Sequence, residues 1–173
     1  LPTGDRRMSG PVILVTGCAG YIGSHAVRAL QQAGYAPVVL DNLVYGHRRI
    51  VDEVLKVPLV VGQVGDRALL DQILSGQHPV TNGAQIQAVL HFAAYAYVGE
   101  SVADPANYYR NNVGDSLNLL EALKVEGERR GTTLMARASV THRQALRVAL
   151  CAISRRTRRV LLGIAAWRVG NNC

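Results

Sequence analysis

Apolar residues first gather in a short unbroken run, Val12-Ile13-Leu14-Val15, and beyond the next glycines they recur at helical spacing. The run reads as a strand and the spaced segment as an amphipathic helix. From Tyr21 to Ala33, positions Ile22, Ala26, Val27, Ala29, Leu30 and Ala33 share one broad face, and Gly34 is a fitting terminator. Val38-Val39-Leu40 predicts a second strand, and Val57 with Leu59-Val60-Val61 a third. Asp66 suits the N-cap of a helix that buries Leu69, Leu70, Ile73 and Leu74 and stops at Gly76. Thr81-Asn82-Gly83 reads as a turn and Gln87 to Phe92 as a fourth strand. Asp104-Pro105 then begins a long helix through Tyr108, Asn112, Leu119 and Leu123, with proline at its first position. Strands alternating with helices predict an α/β fold, a Rossmann-type doubly wound parallel sheet with its ligand crevice at the carboxyl ends of the strands.

The first strand runs into Thr16-Gly17-Cys18-Ala19-Gly20-Tyr21-Ile22-Gly23, a glycine-spaced turn that opens the first helix. Gly17 permits the reversal, Gly20 lets backbone amides approach a pyrophosphate, and Gly23 lets helix and strand pack closely. The positive end of the helix then meets the phosphates. Asp41 closes the second strand at about the twenty-residue separation expected of a ribose-binding acid. Dinucleotide binding follows, the alternative being a turn that holds no phosphate.

A length of 173 residues with 49% hydrophobic content allows one domain with a full core, and no separate substrate domain beside it. Cys18, Cys151 and Cys173 lack metal-ligand spacing and form no obvious disulfide framework, so no metal is expected and the compartment reads as reducing. No apolar run reaches the length of a membrane span, which points to a cytoplasmic protein without a membrane partner. Residues 1–10 read as a leader.

Charge divides the chain. Residues 1–128 hold 9 Lys plus Arg against 12 Asp plus Glu, a balance of −3, whereas residues 129–173 hold 10 Arg, no Lys and no acid, giving +10. The basic character belongs to the last quarter alone.

Five blocks carry a family resemblance: Thr16 to His25 of the glycine turn, Leu40-Asp41-Asn42-Leu43, His91-Phe92-Ala93-Ala94, Val98-Gly99-Glu100-Ser101, and Tyr108-Tyr109 with Asn111-Asn112-Val113. They resemble the extended short-chain dehydrogenase/reductase family and, within it, the UDP-glucose 4-epimerases, over about residues 11–130. The resemblance implies a Rossmann-type NAD domain, a C-terminal sugar-nucleotide lobe that is absent here, a UDP-sugar substrate and a homodimer. It implies that Tyr21 and Ile22 offer amides to the pyrophosphate, within the frame of Gly17, Gly20 and Gly23. Asp41 would accept from the adenosine ribose, with Asn42 beside it. A carboxylate there repels a 2′-phosphate and favours NAD over NADP. Phe92, Ala93 and Ala94 would line the cofactor, and Asn112 would reach it from the long helix.

The chain departs from the family pattern at several positions. Cys18 stands where the family shows glycine, and Ala96 replaces a common lysine. The Gly-Asp pair that holds adenine becomes Gly62-Gln63, whose amide still hydrogen-bonds without charge, with Val64 beside it. The family's catalytic Tyr-x-x-x-Lys pair has no counterpart: no tyrosine follows Tyr109, and Lys124 is the last lysine. No catalytic residue is therefore assigned, and Ser139 and Thr141 are poor remnants of the Ser/Thr region.

From Thr132 onward the chain stops resembling the family, with arginines interrupting what should be a buried strand and a catalytic helix. We read 11–131 as a partial NAD-binding domain and 132–173 as an Arg-rich, non-native tail produced by frameshift or truncation. The other reading is a basic amphipathic helix, with Leu146, Val148, Leu150 and Ile153 on its apolar side, that makes the chain a noncatalytic NAD-binding module docking on nucleic acid or an anionic membrane.

Overall fold

The structure is a computed structural model and describes residues 10–138. The leader and the tail beyond Ala138 lie outside the described residues. Five strands, β1 (Val12–Thr16), β2 (Ala36–Asp41), β3 (Leu59–Val61), β4 (Ile86–His91) and β5 (Met135–Ala138), form one sheet in the order β3-β2-β1-β4-β5. Every pairing is parallel. The chain leaves β1 toward one edge and β4 toward the other, so the order reverses beside β1, where doubly wound sheets open a crevice.

The helices are α1 (Tyr21–Gln32), α2 (Arg67–Ser75), α3 (Val98–Ala103), α4 (Pro105–Tyr109) and α5 (Asp115–Arg130). Alternation along β1 divides the core in two. Ile13 and Val15 pack with Ala26, Val27 and Leu30 of α1 on one face of the sheet. Val12 and Leu14 pack with Leu70, Ile73 and Leu74 of α2 and Leu119 and Leu123 of α5 on the other. Such two-sided burial is why the strands read as continuous apolar runs. The Asp66 carboxylate accepts from the Leu69 N–H at 3.0 Å, the expected N-cap of α2, and Gly76 closes that helix in the left-handed region.

Three features differ from the sequence reading. A π-helical turn at Ile50–Leu55 crosses from β2 toward β3 and buries Val51 and Leu55; it is too short for periodicity to reveal. The long helix expected from Pro105 is interrupted by a second π-helical turn, Arg110–Gly114, which separates α4 from α5. The third difference is a strand beyond residue 131. β5 pairs with β4 from Ala88↔Met135 to His91↔Ala138, so the sheet has a fifth strand inside the segment read as tail. Leu134 and Ala136 pack against the core on the α2/α5 side.

Arg129 and Arg130, counted with the basic tail by composition, are the last residues of α5. Both bond the buried Glu126, Arg129 Nε at 2.7 Å and Arg130 Nε at 2.6 Å. Arg130 also donates to the Ile86 carbonyl at 2.7 Å and to the Leu74 carbonyl, tying α5 to the start of β4 and the end of α2. These hydrogen bonds hold the Glu126 carboxyl below its usual range, the bond from Arg129 first and that from Arg130 also contributing. No helix among the described residues is long and apolar enough to cross a membrane.

Candidate dinucleotide-binding site

A cleft opens where the carboxyl ends of β1, β2, β3 and β4 meet the start of α1. Gly17 turns the chain there at φ +69°, and a Cβ on it would lie 2.4 Å from the Ala93 backbone nitrogen. Gly23 faces the same limit, since its Cβ would come within 2.5 Å of Cys18 Cα. Side chains at either position would push the turn off β4 or α1 off the turn. A Cβ at Gly20 would meet nothing nearer than 3.8 Å, so that position opens on the cleft.

The N-terminus of α1 carries no side-chain cap and no acid in its first turn. Its first amides and the helix dipole therefore face the cleft unneutralised, the arrangement that binds phosphate. Asp41 closes the opposite wall and is buried. One of its oxygens accepts the Ala19 N–H at 2.9 Å and the other the Leu43 N–H at 2.8 Å. The carboxylate thus ties the end of β2 to the glycine turn, and each oxygen keeps a lone pair for a further donor. Cys18, buried in the turn, has its thiol pushed up to about 12, by burial first and by the Asp41 charge second. It is an inert packing group.

Beneath the cleft lies a hydrogen-bonded chain that spacing alone could not reveal. Thr16 Oγ1 meets His91 Nδ1 at 2.7 Å, His91 Nε2 meets Ser116 Oγ at 3.0 Å, and Ser116 Oγ donates to the Asn112 carbonyl at 2.8 Å. Because Ser116 spends its proton on that carbonyl, Nε2 carries the imidazole proton and Nδ1 accepts from Thr16. Burial pushes His91 down to about 4, so the ring is neutral and structural.

Of the residues the sequence nominated, Gly17, Gly20, Tyr21, Ile22, Gly23, Asp41, Asn42, Val64, Phe92, Ala93 and Ala94 line this one cleft. Gln63 and Asn112 are not among its lining. Gln63 is exposed, and Asn112 turns both ends of its amide to the Tyr95 backbone, accepting from N–H at 2.8 Å and donating to C=O at 2.9 Å. Asn112 therefore holds the loop after β4 in place. The sequence reading missed Tyr45, Gly46, His91, Tyr95, Asn111 and Asp115, which the fold brings to the cleft from four separate segments. His91 and Asn111 stood inside the recognised blocks and the tyrosines clustered near them, whereas Gly46 and Asp115 gave no signal.

At the rim, Tyr45 and Tyr108 both donate to Glu100 Oε2, Tyr108 at 3.1 Å. The hydrogen bond to Glu100 raises the Tyr45 phenol above its usual range, and desolvation raises that of Tyr108. A phenolate base needs the opposite shift. These rim tyrosines are therefore not poised to take a proton from a ligand in the cleft.

The NAD dependent epimerase/dehydratase family matches residues 13–141, three residues past β5. The UDP-glucose 4-epimerase of Rhizobium leguminosarum bv. trifolii is 46% identical over 120 residues, which is 69% of this chain and 34% of that protein. The chain thus spans about a third of the length of the curated relatives it matches. Among solved structures, the UDP-glucose 4-epimerase from Brucella ovis in complex with NAD superposes with a TM-score of 0.60 at 36% identity, covering 93% of this chain and 49% of that one. The enzyme from Stenotrophomonas maltophila, with NAD and formylated UDP-arabinopyranose bound, gives a TM-score of 0.60 at 30% identity over 94% of this chain and 48% of that one.

Proposed function

The chain belongs to the NAD dependent epimerase/dehydratase family, and on that premise we propose that it is the NAD-binding N-terminal region of a UDP-glucose 4-epimerase, inactive in epimerisation as a 173-residue chain. The observation that carries this reading is the single cleft that sets the uncapped start of α1 against the buried Asp41. The residues present fit the cofactor, because Gly20 leaves open the place a side chain would occupy beside the cleft and the start of α1 has no side-chain cap. Tyr21 and Ile22 would hold the pyrophosphate by their amides, and Asp41 would accept from the adenosine ribose while its charge excludes a 2′-phosphate. Phe92, Ala93 and Ala94 would flank the cofactor after β4. Bound NAD supplies reversible hydride acceptance. Its protein-side partner, a tyrosine made acidic by a nearby lysine, has no counterpart in this sequence.

The UDP-sugar and the homodimer are carried over from the family resemblance. The exposed Val113, Leu117 and Leu120, spaced along one side of α5 and the turn before it, offer an apolar strip for a second copy.

Two measurements on the full chain test the proposal. Calorimetric titration is expected to give NAD binding tighter than NADP binding, and a coupled assay with UDP-galactose and saturating NAD is expected to give no turnover. Loss of one positioned base typically costs about 10²–10⁴-fold, and these 173 residues hold no Tyr-x-x-x-Lys pair. Turnover above about 1 s⁻¹, a tenth of the typical enzyme median of about 10 s⁻¹, would overturn the claim of inactivity. Absence of NAD binding would overturn the whole reading.

A second reading rests on the arginines beyond Gly131, which no acid balances. It makes the chain a noncatalytic NAD-binding module with a basic docking tail. Removal of residues 139–173 separates the two readings: the module loses a steeply salt-dependent affinity for DNA and RNA, and the enzyme region loses nothing. For the enzyme region we propose a change of reading frame within the Arg-rich segment that follows the family match. Sequencing the coding DNA across that segment is expected to find a one- or two-base shift that restores a Tyr-x-x-x-Lys pair downstream.

A further inference from the structure

The end of the cleft beside β3 holds a group that the sequence reading did not nominate. Gln63, which stands where the family resemblance expects an adenine-binding acid, is exposed and is not among the residues lining the cleft. Its neighbours Gly62 and Val64 do line it, and so does Asp115, the first residue of α5. A carboxyl is therefore present beside the end of β3, supplied by a different element.

The fold holds that carboxyl firmly. Gly65 approaches so closely that a Cβ on it would lie 2.4 Å from Asp115 Oδ1. Asn118, on the same helix, donates to the Gly65 carbonyl at 3.0 Å. Gly65 is thus held to α5 at its carbonyl and lies against the Asp115 side chain, which sets the spacing between that side chain and the Gly62-Val64 wall. The two oxygens of a carboxyl offer several acceptor positions, which a ligand can use.

Resting on the NAD-binding reading above, we propose that Asp115 recognises the exocyclic amine of adenine, taking over from α5 the role that Gln63 does not fill at the end of β3. Adenine presents a donor at its C6 amine, and hypoxanthine presents an acceptor at the same place. A carboxyl oxygen beside that position favours the first and repels the second. Desolvation raises the Asp115 carboxyl above its usual range, in keeping with a site closed partly from water.

The test is calorimetric titration of the full chain with NAD and with nicotinamide hypoxanthine dinucleotide. The parent is expected to prefer NAD by about tenfold or more, the range of a hydrogen bond to a charged group. Asp115→Asn, whose amide can donate to the oxo group, is expected to bring the two affinities within about threefold or to invert them. Equal affinities in the parent overturn the assignment without recourse to any variant. So does a preference that Gln63→Ala abolishes and Asp115→Asn leaves intact. Failure of the parent to bind either dinucleotide instead refutes the NAD-binding reading on which this one rests.

Discussion

The carboxylate of Asp41 accepts the amide of Ala19 at 2.9 Å across a separation of 22 residues, joining the end of β2 to the middle of the glycine turn. The acid read as a ribose ligand is therefore also a structural tie, and its second oxygen fixes Leu43 at φ +60° through an N–H bond at 2.8 Å. Gly46 seals the same place, where a Cβ would lie 3.0 Å from Asp41 Oδ1.

Replacing Asp41 with Ala is expected to have two separable effects. Loss of both charge-assisted bonds should lower stability by about 2–3 kcal/mol, readable as a shift of the urea midpoint. The preference for NAD over NADP should narrow in the same variant, as measured by titration below the new melting temperature. A variant that melts like the parent would show that the two bonds contribute nothing to folding.

His91 makes stability depend on pH in a defined window. The ring titrates near 6.5 when unfolded and at about 4 when buried, so between those values the unfolded chain binds more protons. The contribution is fully present above about 6.5 and is lost progressively as pH falls toward about 4. Its total is about 3 kcal/mol at 1.36 kcal/mol per unit. His91→Asn keeps an acceptor for Thr16 but no titrating ring. It is expected to be less stable at pH 7 and to show a flatter profile between pH 6.5 and 4 in denaturant titrations. Loss from the depressed Glu126 carboxyl follows at lower pH, as its proton is taken up below the usual glutamate range.

Arg130 is expected to matter more to folding than any other arginine near the C-terminal end of α5. Its guanidinium serves Glu126 and two carbonyls at once, and both the Arg130 and Glu126 side chains are buried. Arg130→Met should cost about 3 kcal/mol by leaving a buried carboxylate and carbonyls short of partners. Arg129→Met should cost under about 1 kcal/mol, since that side chain is half exposed. Equal losses in thermal or chemical unfolding would sink the distinction.

Sequence alone determined the features set by residues close in the chain. Val12 to Val15, the spacing of Gly17, Gly20 and Gly23, the Asp66 cap and Asp41 at the end of β2 each declare a local geometry, and together they specify a parallel α/β unit with a phosphate-binding turn. Tertiary structure decided what depends on partners far along the chain. Asn112 is a ligand candidate by position, and that its amide bonds Tyr95 of the loop after β4 is visible only in the fold. His91 and Thr16 meet across 75 residues, and nothing in either neighbourhood announces the pair. Arg129 and Arg130 look like the start of a basic tail until α5 brings them onto Glu126. β5 was hidden for a related reason: a strand of four residues gains its pairing from β4, far back in the chain, and its packing from Leu134 and Ala136 against the core. Hydrophobic spacing reports which side of an element is apolar, and the identity of the group that meets a polar side chain exists only once the elements are packed.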